Sequence, residues 1–164
     1  MHPKLIARDL IIAGLMVGLV TAALAADVGA SAHVVLSIVA AVLVGLCGHL
    51  LHEYGHLVAS LLSRSQVRFP TRLSAPLVFD FEVAVNSRRQ FLIMSTGGYL
   101  GSLLAVVLIA TLLPRDTLVG QIALGLALLG LVASAVLEGP TTWRVARGAA
   151  PPEAVLRVSD SAGA

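Results

Sequence analysis

His52-Glu53-Tyr54-Gly55-His56 sets two imidazoles four residues apart with a carboxylate between them. On a helix, positions i and i+4 share a face, so His52 and His56 can converge on one zinc ion. Glu53 then stands beside the water of that ion rather than on the metal. The chemistry this spacing suits is peptide hydrolysis. Zinc polarises a carbonyl and acidifies a water, and the glutamate takes the proton and later passes it to the leaving amine. The competing reading is a chance cluster of polar groups at a helix contact or in a water-filled cavity. His49 shares a face with His52 but lies roughly 10 Å along the axis from His56, too far for joint ligation. It reads as a hydrogen-bonding neighbour or a polar residue on the access path. Haem ligation by a histidine pair has no attachment motif behind it.

These groups sit in an apolar run, Leu46 to Leu62, where an unpaired carboxylate is expensive. A metal and a water are partners strong enough to keep them there. The surrounding chain is of the same character. Of its 164 residues 57% are hydrophobic and only 12% charged, with a mean hydropathy of +0.93. That is more apolar surface than one soluble core of this size needs. Segments long enough to cross a bilayer fall at 10–26, 34–62, 91–113 and 118–137. The second is longer than a span requires and must tilt or project. Lys4, Arg8 and a small-residue Ala23-Leu24-Ala25 end also fit a signal peptide. A retained span is expected instead, because another span follows it.

Arginine distribution orients the chain. Lys4 and Arg8 precede the first span, Arg64, Arg68, Arg72, Arg88 and Arg89 lie between the second and third, and Arg144 and Arg147 follow the fourth. Only Arg115 falls on the other side. The positive-inside rule puts both termini and the long central loop in the cytoplasm, and the pI of about 9.2 reflects the same bias. Arginines scattered over short loops make no nucleic-acid surface; anionic lipid headgroups are their expected neighbours. Lone Cys47 offers no intramolecular disulfide.

The architecture expected is therefore an all-α polytopic membrane protein. It has about four transmembrane helices and a short membrane-associated β segment between the second and third. Residues 1–147 would form the membrane domain and 148–164 a loose cytoplasmic tail. In the central segment Pro70 and Pro76 break helices, and Leu77–Val85 partly alternates apolar with acidic in the strand period. Gly97, Gly98 and Gly101 open the third span with a face that lets another helix come close, or with a kink.

A catalytic zinc takes three protein ligands and keeps one position open. Asp27 stands on the wrong side for the third, and Asp80 or Glu82 reaches inward only if the strand segment re-enters. Glu138 closes the fourth span on the same side as His56, just before the helix-ending Gly139-Pro140. It is the preferred ligand, with Asp80 the alternative. The bland reading of Glu138 is an ion pair with an arginine such as Arg144.

An HExxH in an early span, a strand-bearing loop and then a glycine-containing span resemble the site-2 protease family of intramembrane zinc metalloproteases, in its small bacterial form. The resemblance covers about 42–143. It implies His52 and His56 as ligands and Glu53 as general base. It also implies a membrane-associated sheet, here Leu77, Val78, Phe79, Phe81 and Val83, that takes up an extended membrane-protein or peptide substrate by strand addition. The expected home is a bacterial cytoplasmic membrane. Two elements depart from the family pattern. Thr96-Gly97-Gly98-Tyr99-Leu100-Gly101 stands where an Ala-Gly-Pro-x-x-Asn element is usual, and Glu138-Gly139 where an Asp-Gly ligand motif is usual. A non-proteolytic membrane scaffold or regulatory subunit retaining the fold is the alternative function. Nothing in the sequence sets an oligomeric state.

Overall fold

The computed structural model describes residues 3–25, 29–70 and 78–152. Asp27, Arg72, Leu77 and the tail beyond 152 lie outside the described residues.

In hydrocarbon every backbone polar group must be satisfied within the chain, which long apolar runs achieve as helices. Four form: α1 (Pro3–Ala25), α2 (Ala30–Leu62), α3 (Arg88–Leu112) and α4 (Leu118–Leu137). All four are long and apolar enough to cross a membrane. Strands β1 (Val67–Arg68) and β2 (Asp80–Phe81) pair antiparallel between α2 and α3, with Val67 opposite Phe81 and Arg68 opposite Asp80. A short helix, α5 (Gly139–Ala146), follows α4.

Three boundaries differ from the hydropathy reading for local reasons. α1 starts at Pro3 rather than Leu10, because proline suits a first helical turn and the charged residues after it continue the helix. α3 starts at Arg88 rather than Phe91, set by a capping box: Ser87 Oγ accepts from Gln90 N–H, and Gln90 Oε1 accepts from Ser87 N–H. Past α4, Gly139-Pro140 does not simply end helical structure. Pro140 has no N–H to give to the preceding turn, so the chain breaks at Glu138 and restarts with proline in the first turn of α5.

The strand expected over Leu77–Val85 is cut to Asp80–Phe81. Val83 lies in a turn instead, where Val85 and Asn86 N–H both donate to the Glu82 carbonyl. The Asn86 side chain fixes that turn by accepting from Gln66 N–H and donating to Gln66 O, each at 2.7 Å.

α2 is the central element and touches α1, α3 and α4. At 33 residues it is about 50 Å long, well beyond a hydrocarbon core of about 30 Å. One apolar cluster joins Val20 and Ala23 of α1, Ala40, Ala41 and Val44 of α2, Ile109 of α3, and Val119 and Ala123 of α4. A second, at the hairpin end, joins Leu57 with Val78 and Phe79. Meanwhile Leu10, Leu15, Leu112, Leu129 and Leu137 stand exposed on the outside. Large apolar side chains facing outward on every long helix are what a lipid solvent requires.

α2 and α3 approach through glycine. A β-carbon at Gly55 would strike the Gly97 carbonyl, one at Gly97 the Gly55 carbonyl, and one at Gly101 the Leu51 carbonyl. Gln90 ties the same helices at their ends, its Nε2 donating to the Ser63 and Arg64 carbonyls. α2 itself stops in a Schellman turn. Ser65 N–H donates to Ser60 O and Arg64 N–H to Leu61 O, with Arg64 at φ 55° in the place usually given to glycine.

Candidate metal centre

α2 carries His52, Glu53 and His56 inward; His52 is 4% and Glu53 7% exposed. The α4–α5 break brings the Glu138 carboxylate to them. His52 Nε2 lies 2.9 Å from His56 Nε2 and 3.1 Å from Glu138 Oε1, and His56 Nε2 lies 3.5 Å from Glu138 Oε2. These three residues all place a ligand atom within 4.8 Å of one another.

The distances fit a zinc ion. Tetrahedral zinc with bonds of 2.0–2.2 Å separates its ligand atoms by about 3.3–3.6 Å; the observed contacts of 2.9, 3.1 and 3.5 Å, the last two to different oxygens of Glu138, lie close to that range. The outer contacts fit as well. The Met94 carbonyl can only accept, so His56 Nδ1 carries the proton and donates across 2.9 Å. Its Nε2 is then a bare lone pair pointing at His52 and Glu138. His52 Nδ1 lies 2.8 Å from Ser102 Oγ, a contact that allows the same tautomer. Fixing the far ring nitrogen in this way orients an imidazole and makes it a better ligand. Two imidazoles and one carboxylate are the three protein ligands that a catalytic zinc site takes, its fourth position being kept for a water.

Both outer contacts come from α3, two helical turns apart, and the glycines explain how α3 gets so near. A β-carbon at Gly98 would land on the His56 imidazole ring. Glu53 is not among the three converging residues, and no described residue hydrogen-bonds its carboxylate. A buried carboxylate in that position is placed to hold a water.

The other residues singled out from sequence fall as follows. His49 stacks on His52 at 6.2 Å between ring centroids and offers no atom to the cluster. Asp80 is exposed on β2, in register with Arg68, and is not one of the converging residues. Arg144 reaches Thr141, not Glu138. Val78 and Phe79 are buried against Leu57, and Phe81 packs partly buried beside them.

Several residues around the site carry no motif in the sequence. Ser102 holds His52, and Arg88 of α3 donates to the Val145 and Ala146 carbonyls, securing the α5 end behind Glu138. Asp9 of α1 is 7% exposed and accepts from the hydroxyl of Tyr54, inside the motif itself, at 2.7 Å. An acid in the second turn of an apolar helix was the available clue to Asp9.

A buried HExxH-type cluster completed by a distant carboxylate thus sits within a four-helix membrane-spanning bundle, an arrangement consistent with zinc proteolysis inside the membrane. The chain matches no protein-family model, no curated protein and no solved structure.

Proposed function

We propose that this chain is an intramembrane zinc endopeptidase resembling the site-2 protease family, cutting a transmembrane or membrane-proximal peptide near the cytoplasmic face. The observation that carries the reading is the convergence of His52, His56 and Glu138, whose ligand atoms all lie within 4.8 Å of one another, with Glu53 one residue along the same helix. Zinc, when bound, supplies Lewis acidity toward the scissile carbonyl and toward a water. His52, His56 and Glu138 hold it, and Ser102 and the Met94 carbonyl fix the imidazole planes. Glu53 takes the proton of the attacking water and returns it to the leaving nitrogen. The β1–β2 hairpin stands on the chain between α2 and α3, and an extended peptide would add to its edge, with Val78, Phe79 and Phe81 shaping that edge from behind. Residues 1–147 act as one membrane unit, both termini face the cytoplasm, and the host membrane is a bacterial inner one.

The test uses the full chain purified in detergent. Zinc is measured by metal analysis and cleavage is followed by mass spectrometry on a panel of single-span peptides. Wild type should carry zinc and cut; Glu53→Gln should carry zinc and not cut. A wild-type chain without zinc, or a Glu53→Gln chain that still cuts, defeats the proposal. Zinc without cleavage of any peptide shifts the balance to a non-proteolytic scaffold.

A further inference from the structure

The hydroxyl of Tyr99 stands beside Gly139, the residue after Glu138, and the hydrolytic roles given above have no use for it. Its oxygen is buried and has no hydrogen-bond partner among the described residues. Burying a hydroxyl without a partner costs about 1–3 kcal/mol, so such a group in a folded chain asks for a ligand. Its surroundings say which one. Tyr99 follows Gly98, the residue that abuts the His56 ring. Its oxygen lies 3.8 Å from where a β-carbon of Gly139 would stand, and Gly139 follows Glu138. The hydroxyl thus stands against the residue that follows one ligand, Glu138, while its own backbone follows the residue that packs on another, His56. α3 presents it there because Gly97, Gly98 and Gly101 bring its backbone against α2.

We propose that Tyr99 is a catalytic residue whose hydroxyl donates a hydrogen bond to the carbonyl oxygen of the scissile peptide as that oxygen becomes an anion. The inference rests on the hydrolase reading. The water oxygen bonds to the carbonyl carbon, its proton goes to Glu53, and the carbonyl π pair moves onto oxygen. That oxyanion accepts the Tyr99 O–H. When the pair returns, the C–N bond breaks, Glu53 gives its proton to the nitrogen, and a carboxylic acid and an amine leave. Tyr99 keeps its proton throughout. A donor aimed at the oxyanion and left unsatisfied beforehand binds the transition state better than the ground state, which is how such groups accelerate a reaction.

The experiment compares wild type with Tyr99→Phe, which keeps the ring and removes only the hydroxyl. Both full chains are stripped and reloaded with Co2+, whose visible absorption reports the ligand shell, and titrated with acetohydroxamic acid. In parallel, zinc content and cleavage of a peptide cut by wild type are measured. The expected result is equal metal content and an unchanged Co2+ spectrum before titration. Acetohydroxamate should then bind about 10-fold more weakly, and kcat should fall about 100-fold with KM little changed. A metal-loaded Tyr99→Phe chain with wild-type kcat and wild-type hydroxamate affinity overturns the assignment alone. Loss of metal in Tyr99→Phe also overturns it, because the hydroxyl is then part of the framework. A wild-type chain that binds no metal overturns the hydrolase reading and the Tyr99 assignment together.

Discussion

Gly98 of α3 lies flat against the imidazole of His56, so closely that a β-carbon would occupy the space of ring atoms Cε1 and Nε2. A ligand nitrogen is therefore packed against bare backbone, and the same turn of α3 offers His56 the Met94 carbonyl. Gly98→Ala should push the ring off its hydrogen bond and out of the triangle. Zinc affinity should fall by at least the 10–100-fold typical of losing a residue that orients a ligand. Competition with a fluorescent zinc chelator measures it. An alanine chain that holds zinc as tightly as wild type shows that the ring has room to move, contrary to the packing described.

Glu138 is the ligand whose removal separates a metal site from a hydrogen-bonded cluster. Its carboxylate meets both imidazoles. Glu138→Gln keeps the shape and an oxygen but loses the charge. It should lose most bound zinc, whereas Glu138→Asp should keep part of it at the expense of geometry. His52→Ala and His56→Ala should behave like the glutamine variant. Metal analysis after dialysis against trace zinc decides between them, and full occupancy in Glu138→Gln would remove Glu138 from the ligand set.

The sequence was most legible where one physical rule acts alone. Four long apolar runs can only be helices in lipid, and i, i+4 spacing on any helix brings His52 and His56 together. Glu138 was reachable because a helix stop at the right depth leaves few acids to choose from. The remainder depends on tertiary approach. Ser102, the Met94 carbonyl and Tyr99 matter only because three glycines press α3 against α2, and spacing within α3 says nothing about which groups then face the zinc site. The strand was overestimated for a related reason. Alternation over Leu77–Val85 is a local pattern, while the Gln66–Asn86 clamp that folds Val83–Val85 into a turn links residues 20 positions apart. Asp9 carries no motif, and its pairing with Tyr54 depends on how α1 packs against α2.

Topology gives a prediction independent of metal. α2 joins the 29–33 end of the bundle to the hairpin end, so the two connections emerge on opposite faces if α2 crosses the bilayer. In a Cys47→Ser background, single cysteines at Ser31 and at Ser87 should label oppositely with a membrane-impermeant maleimide on intact cells. Arginine bias places Ser31 outside. Labelling of both from outside contradicts the crossing of α2, and labelling of Ser87 alone reverses the orientation without touching the fold.

The contact between α1 and the motif yields the final prediction. Asp9 Oδ2 accepts from the Tyr54 hydroxyl at 2.7 Å, and Asp9 Oδ1 accepts from Arg8 Nε at 2.8 Å. Tyr54 lies between Glu53 and Gly55, so this bond pins the ligand-bearing turn of α2 to a helix that gives the metal nothing directly. Hydrogen bonds between membrane helices contribute about 1 kcal/mol, reaching about 2 in the best cases. Asp9→Ala and Tyr54→Phe should each lower the unfolding free energy measured in detergent by an amount in that range. Because each removes the same bond, the double variant should be scarcely worse than the more damaging single one, a coupling of about 1 kcal/mol. Zinc should still be bound at low temperature and released earlier on heating in all three, since the ligands themselves are intact. Fully additive losses would mean that Asp9 and Tyr54 stabilise the bundle separately and that α1 does not brace the metal helix.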